Sequence, residues 1–255
     1  MNRRRRLEQT VARLRRRYGE RAVRRAAELE RERPPAGIPT GFPELDQRTG
    51  CGGIPRGRLT LLSGRTTSGK LTLAYKVLAQ AQDERPAALV DLSRSSDPDY
   101  LARCGVALAR LLLLRPDRPG ETAPLLVDLV ASRRVGLVLL DGLPDLAVER
   151  TGLGQLGQSL ARLQGLLRRT STTLLVLDEP QPPWLGWFGR QRSQVVTPWA
   201  DLWVALQRER WLLQGEELVG YQARARVVRS RWAPAGATVP IAIRFNGVVQ
   251  AARTW

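Results

Sequence analysis

The chain has 255 residues, 43% of them hydrophobic, enough for one substantial α/β core and a small appendage. Its formal charge of +17, with 41 basic residues that are nearly all arginine, points to a polyanionic partner, and nucleic acid is the commonest in the cytoplasm. Two cysteines and no histidine exclude a disulfide framework and argue against zinc. No apolar run is long enough to span a membrane, and the arginine-rich start lacks the apolar stretch of a secretory signal, so a cytoplasmic protein with reduced thiols is expected.

Residues 1–36 read as a basic helical arm and linker, and residues 37–255 as the core. Residues 1–33 carry 13 arginines against five glutamates. Leu7, Val11, Leu14, Tyr18, Ala22 and Val23 recur at helical spacing, which predicts one docking face and one basic face. A fully solvated charged helix fits the same residues. Gly19 splits the run, and Pro34-Pro35 ends it.

From residue 37 onward, apolar runs at 59–62, 87–92, 111–114, 135–140 and 173–177 alternate with helix-length segments near 70–82, 97–109, 120–133 and 152–169. Short buried runs interleaved with helices predict a mostly parallel sheet flanked by helices on both faces. After residue 200 the rhythm changes to strands at 199–207, 208–213, 218–229 and 238–245. Tight turns such as Gln214-Gly215-Glu216 join them into an antiparallel meander closing one side of the sheet.

Between the first core strand and its helix lies Gly64-Arg65-Thr66-Thr67-Ser68-Gly69-Lys70-Leu71. The glycine spacing and the lysine fit a phosphate-binding loop: backbone N–H groups close around phosphate oxygens and Lys70 adds a positive charge. A glycine-containing turn without a ligand is the plainer alternative. The usual loop ends in a hydroxyl residue that coordinates Mg²⁺, and here Leu71 stands in that position. Asp141 closes the apolar run Val138-Leu139-Leu140, which places one carboxylate at the ligand-binding edge of a parallel sheet. A turn or cap residue would look the same.

Taken with Ile38-Pro39-Thr40-Gly41-Phe42-Pro43-Glu44-Leu45-Asp46 and Gly52-Gly53-Ile54-Pro55-Arg56-Gly57-Arg58 ahead of the loop, the chain resembles the RecA recombinase family over most of its length. The resemblance implies a RecA-like P-loop NTPase core with ATP held by Gly64, Thr66, Thr67, Ser68, Gly69, Lys70, Leu71 and Thr72. It implies Tyr100 stacking on adenine, Asp97 accepting from the adenine amino group, and Asp141 near Mg²⁺. Arg229 and Arg231 would reach a neighbouring protomer's nucleotide. Tyr18-Gly19-Glu20-Arg21-Ala22-Val23 resembles the family's subunit-contact segment, implying self-association through the arm.

Three positions depart from the family. Its catalytic Glu falls on Ser93, which cannot hold or deprotonate a water as a carboxylate does. The metal-binding hydroxyl falls on Leu71; Thr72 is adjacent, but one helical step turns a side chain by about 100° away from it. The polar nucleotide sensor falls on Glu179, whose charge would repel a γ-phosphate, although Glu179 could also act as a compensating carboxylate. No catalytic position is therefore assigned, and a DNA-dependent ATPase activity would be weak or lost. The family's C-terminal domain is also expected to be missing. Such a truncated core is similar to ImuA-type accessories of translesion polymerases.

Residues 181–194 read Gln-Pro-Pro-Trp-Leu-Gly-Trp-Phe-Gly-Arg-Gln-Arg-Ser-Gln. Trp184, Trp187, Phe188, Arg190 and Arg192 combine base-stacking rings with phosphate-neutralising charges, the chemistry of sequence-tolerant single-stranded DNA binding. The same side chains would serve as a hook for a protein partner, or pack locally. The expected function is DNA repair and recombination within the SOS response, with ATP and single-stranded DNA as ligands. The alternative is a non-catalytic adaptor that meets a translesion polymerase.

Overall fold

The computed structural model describes residues 3–18, 33–147, 150–180, 194–245 and 249–251. The chain divides into two units, Met1–Pro34 and Pro35–Trp255. In the first, α1 (Arg3–Tyr18) has no acidic residue in its first turn and ends on Arg15, Arg16 and Arg17. Cations in a last turn complement the negative end of the helix dipole. Leu7 and Leu14 are exposed. The expected break at Gly19 and the positions Ala22 and Val23 lie outside the described residues.

The second unit opens with a small antiparallel ribbon, β1 (Gly37–Ile38) and β2 (Ile54–Pro55), around α2 (Pro43–Thr49). Next come β3 (Leu59–Gly64), α3 (Lys70–Ala81), β4 (Ala87–Asp91), α4 (Pro98–Arg103) and β5 (Leu111–Leu114). Then follow α5 (Thr122–Ala131), β6 (Leu137–Asp141), α6 (Arg150–Thr170) and β7 (Thr173–Asp178). The chain finishes on β8 (Leu202–Gln214), β9 (Glu217–Ser230), β10 (Thr238–Arg244) and β11 (Val249–Ala251). Nine of these strands form one sheet in the order β11-β10-β9-β8-β3-β7-β6-β4-β5. From β8 to β5 every pairing is parallel, and from β8 to β11 every pairing is antiparallel. This is the α/β architecture expected from the sequence, meander included.

Strand alternation explains the two layers of core. Side chains of period two send Leu62, Leu89, Leu139 and Leu175 to one face, where Leu73, Val77 and Leu78 of α3 meet them. Leu59, Leu61, Val90, Leu140 and Val176 go to the other face, under Leu126 and Val130 of α5. Leu156, Leu160, Leu163 and Leu167 of α6, at helical spacing, complete that layer. β3 and β7 are buried along their whole length, as strands covered on both faces must be. At the sheet edge, β5 leaves Leu112 and Leu113 partly exposed.

Two elements differ from expectation. Residues 199–207 and 208–213 do not make separate strands: β8 runs unbroken from Leu202 to Gln214, after a short turn that ends at Trp199, with a register shift between Arg208 and Arg210. A bulge of this kind interrupts side-chain alternation without ending the strand, which is why the polar stretch Arg208-Glu209-Arg210 mimics a break. The helix expected over 97–109 stops at Arg103. Gly105 takes φ +94°, and a separate short turn covers Leu108–Arg110.

Candidate functional site

The parallel strands carry their carboxyl ends to one edge of the sheet, and the loop after β3 leaves from that edge. Register fixes its neighbours: Ser63 lies beside Asp178 of β7, and Gly64 beside Leu206 of β8. Inside the loop the Ser68 amide donates to the Arg65 carbonyl at 3.0 Å, closing a tight turn. Gly69 takes φ +90° at the start of α3, and a Cβ there would collide with Ile243 Cδ1 of β10. Only glycine meets both conditions. Thr67 also sits at positive φ, +61°, unusual for a β-branched residue. Its hydroxyl donates to the Thr66 carbonyl at 2.6 Å and accepts from Arg208 Nη1 at 2.9 Å.

The cradle holds an anion of its own. Glu179, one residue beyond β7, accepts from the Thr66 amide at 3.0 Å and the Thr66 hydroxyl at 2.5 Å through Oε1. Its Oε2 accepts from Lys70 Nζ at 3.2 Å. Burial pushes the Glu179 carboxyl up, but the Thr66 hydroxyl and the Lys70 charge outweigh it and hold it below the ordinary glutamate value. The carboxylate thus occupies the lysine and the outer amide of the loop.

A 460 Å³ cavity opens beside this contact, within the about 300–1,000 Å³ range of small-molecule sites. Its walls include the loop from Thr66 to Thr72, Ser93, Tyr100, Asp141, Glu179 and Tyr221. Asp141 ends β6 in register with Asp91 of β4. Burial first, and then the Asp91 charge, push its carboxyl up to about 6, with Lys70 pulling the other way. Leu71 packs against the core on the α3 side. Thr72 Oγ1 lies 2.5 Å from Tyr100 Oη, so the adjacent hydroxyl is engaged with the ring that the resemblance assigns to adenine. Ser93 donates to Asp91 Oδ1 at 3.1 Å.

Asp91 is fully buried and heavily bonded. Ser96 Oγ donates to it at 2.5 Å, Arg115 Nε at 3.0 Å, and the amides of Ser95 and Ser96 at 3.2 and 3.3 Å. Burial raises its pKa, and these donors more than reverse the effect. Asp97 lies outside the cavity wall: its Oδ1 caps α4 by accepting from the Asp99 amide at 2.9 Å. Arg229 and Arg231 sit toward the opposite end of the sheet, where Ser230 pairs with Leu202 and Leu202 with Thr60. Arg229 Nη1 donates to the Thr197 carbonyl at 3.0 Å, and Arg231 Nη1 to Asp201 Oδ1 at 2.8 Å. Trp184, Trp187, Phe188, Arg190 and Arg192 lie outside the described residues.

A second hollow, 880 Å³, flanks the other side of the loop and takes in Arg65, Arg208, Arg224 and Arg226. Sequence reading overlooked Arg208 and Tyr221. Both enter through the meander, whose β8 lies directly beside β3. For the neighbouring Arg224 and Arg226 the signal was present in β9, where they alternate with buried Ala223, Ala225 and Val227 and must share one face.

The residues present fit part of an ATP–Mg²⁺ group. The first amides of α3 and the cavity suit a phosphate chain. Lys70 is already ion-paired, Leu71 offers no hydroxyl, and no cluster of three or more His, Cys, Asp or Glu suited to a metal occurs among the described residues. A third phosphate with its metal does not fit the side chains as they stand.

A glycine loop between β3 and α3, a carboxylate at the tip of another strand of the same parallel sheet and a C-terminal meander define a P-loop α/β core of the recombinase type. Residues 5–177 match the RecA N-terminal domain. The chain is 32% identical over 246 residues to Protein RecA of Clavibacter michiganensis, covering 89% of this chain and 67% of that one. Protein RecA of Methylococcus capsulatus is 30% identical over 263 residues, 96% of this chain and 76% of its own. Protein RecA of Chloroflexus aurantiacus is 28% identical over 242 residues, with coverages of 88% and 69%. The chain belongs to the RecA family.

Proposed function

We propose that this protein is a RecA-like recombination and repair protein that binds nucleotide at the Gly64–Thr72 loop and single-stranded DNA along its basic surfaces, with ATP hydrolysis weak or lost. The observation that carries this reading is the Glu179 carboxylate seated on Lys70 and Thr66. ATP binding then requires Glu179 to leave the lysine. Bound ATP with Mg²⁺ would supply a reactive γ-phosphate. On the protein side, Lys70 and the loop amides bind phosphate oxygens, Tyr100 and Tyr221 wall the cavity, and Asp141 offers one partly buried carboxylate. Ser93, tied to Asp91, supplies no base. Arg229 and Arg231, remote from their own loop, would reach a neighbouring protomer's nucleotide on release of Thr197 and Asp201, and the 1–36 arm would mediate that contact.

The DNA half of the reading rests on the +17 charge and the arginines beside the loop. Strand binding should weaken steeply with salt, by roughly 10³-fold or more between 50 and 200 mM if six or more phosphates are neutralised. Fluorescence anisotropy with labelled oligonucleotide measures this, and binding indifferent to salt would reject it. The occupied cradle also favours a second reading, a non-catalytic ImuA-type adaptor that meets a translesion polymerase in the DNA-damage response. Lys70→Ala separates the two in a DNA-damage survival assay. The nucleotide-dependent reading expects loss of function, and the adaptor reading expects none.

A further inference from the structure

Glu179 divides the phosphate loop into an occupied outer half and an open inner half. The outer half comprises the Thr66 amide and hydroxyl and the Lys70 ammonium, all bound to one carboxylate. The inner half comprises the amides of Lys70, Leu71 and Thr72, first-turn donors of the 12-residue α3, which have no carbonyl partner within their own helix. In a glycine loop of this spacing the backbone amides cradle the α- and β-phosphates, and the lysine reaches the β- and γ-phosphates. A carboxylate on the lysine and the outer amide therefore takes the terminal phosphate's place while leaving the inner positions open to the 460 Å³ cavity.

The carboxylate is built in rather than incidental. Glu179 follows directly on β7, whose Asp178 is in register with Ser63 of β3, so its backbone leaves the sheet beside the loop. Pro180 comes next, and a residue before proline is restricted to extended backbone, which fixes the direction in which the side chain departs. Three donors share its two oxygens, and Lys70 is only 14% exposed while paired to it. A carboxylate and a phosphate oxygen make the same demands on an ammonium and an amide.

We infer that Glu179 is the residue that sets the phosphate count of this site, standing in for a third phosphate so that the loop selects a nucleoside diphosphate over a nucleoside triphosphate. The inference rests on the nucleotide-binding reading above and sharpens it: the ligand held in the resting protein is the diphosphate, and a triphosphate competes with a side chain of the protein itself.

Calorimetric titration of the full chain with ADP, and with the non-hydrolysable β,γ-imido analogue of ATP, tests this in the wild type, Glu179→Gln and Lys70→Ala. Glutamine keeps the shape and one acceptor for the Thr66 amide but removes the charge. The wild type is expected to bind ADP on the order of tenfold or more tighter than the analogue, and Glu179→Gln to erase most of that gap by a gain for the analogue. Lys70→Ala, as the control for binding at the loop, is expected to weaken both ligands. Equal affinities in the wild type, or a gap unchanged in Glu179→Gln, would overturn the selectivity while leaving nucleotide binding intact. Binding of neither ligand by the wild type and Glu179→Gln would remove the nucleotide reading itself.

Discussion

Glu179 Oε2 lies 3.2 Å from Lys70 Nζ, across 109 residues of chain, and the same carboxylate holds the Thr66 amide. A lysine at this place in a phosphate loop ordinarily awaits a ligand. Here it is part of the folded state, so its replacement should be felt without any nucleotide. Lys70→Met, which keeps the apolar stem, is expected to lower unfolding free energy by about 1 kcal/mol in nucleotide-free buffer, as a partly buried ion pair is lost. Urea denaturation reads this directly. An unchanged midpoint would mean that the pair contributes nothing to the fold.

Asp141 makes a pH-dependent contribution of opposite kind. Its carboxyl is raised from 3.8 to about 6, chiefly by burial, so between those values the native state keeps a proton that the unfolded chain has lost. Stability therefore falls as pH rises through this window and stays lower above it. Asp141→Asn should stabilise the protein by about 1–3 kcal/mol at pH 7.5, with the gain vanishing near pH 4. Thermal melts of both proteins across pH 4–8 follow the difference.

The Asp91 knot predicts a large structural effect away from the loop. Arg115→Ala removes the cation from a carboxylate that is fully buried. The serine hydroxyls and amides remain, so the expected loss is about 2 kcal/mol rather than complete unfolding. Ser93→Glu would set a second carboxylate beside this one. By itself it should give no ATP turnover, because Leu71 and Glu179 still block the metal and the third phosphate. Ser93→Glu combined with Leu71→Thr and Glu179→Gln is the variant expected to release phosphate above background.

Gly69 ties the loop to the meander. Gly69→Ala meets both the positive φ and the Ile243 side chain, and should cost about 2 kcal/mol or more while distorting the first turn of α3. Adding Ile243→Ala should recover the steric part only, which a double-mutant cycle resolves.

Much of this fold was legible because its signals are local. Fully apolar runs such as Leu137–Leu140 mark strands buried on both faces, and the glycine spacing marks the turn between β3 and α3. The departures from the family's pattern at Leu71 and Ser93 were legible too, since each is one side chain in a known frame. The Glu179–Lys70 contact was legible only as a conflict of charges. Its geometry depends on β7 lying next to β3 in the sheet, a long-range choice that no local pattern encodes. Arg208 was lost for a related reason: the bulge before Arg210 hid the continuity of β8 and with it the strand that brings Arg208 to Thr67.

Phosphate release from ATP by the purified full chain, with and without saturating single-stranded DNA, tests most directly whether this site turns over a triphosphate. The arrangement of Glu179, Leu71 and Ser93 predicts no DNA-stimulated release. Stimulated release by the wild-type chain, with Glu179 intact, would contradict it.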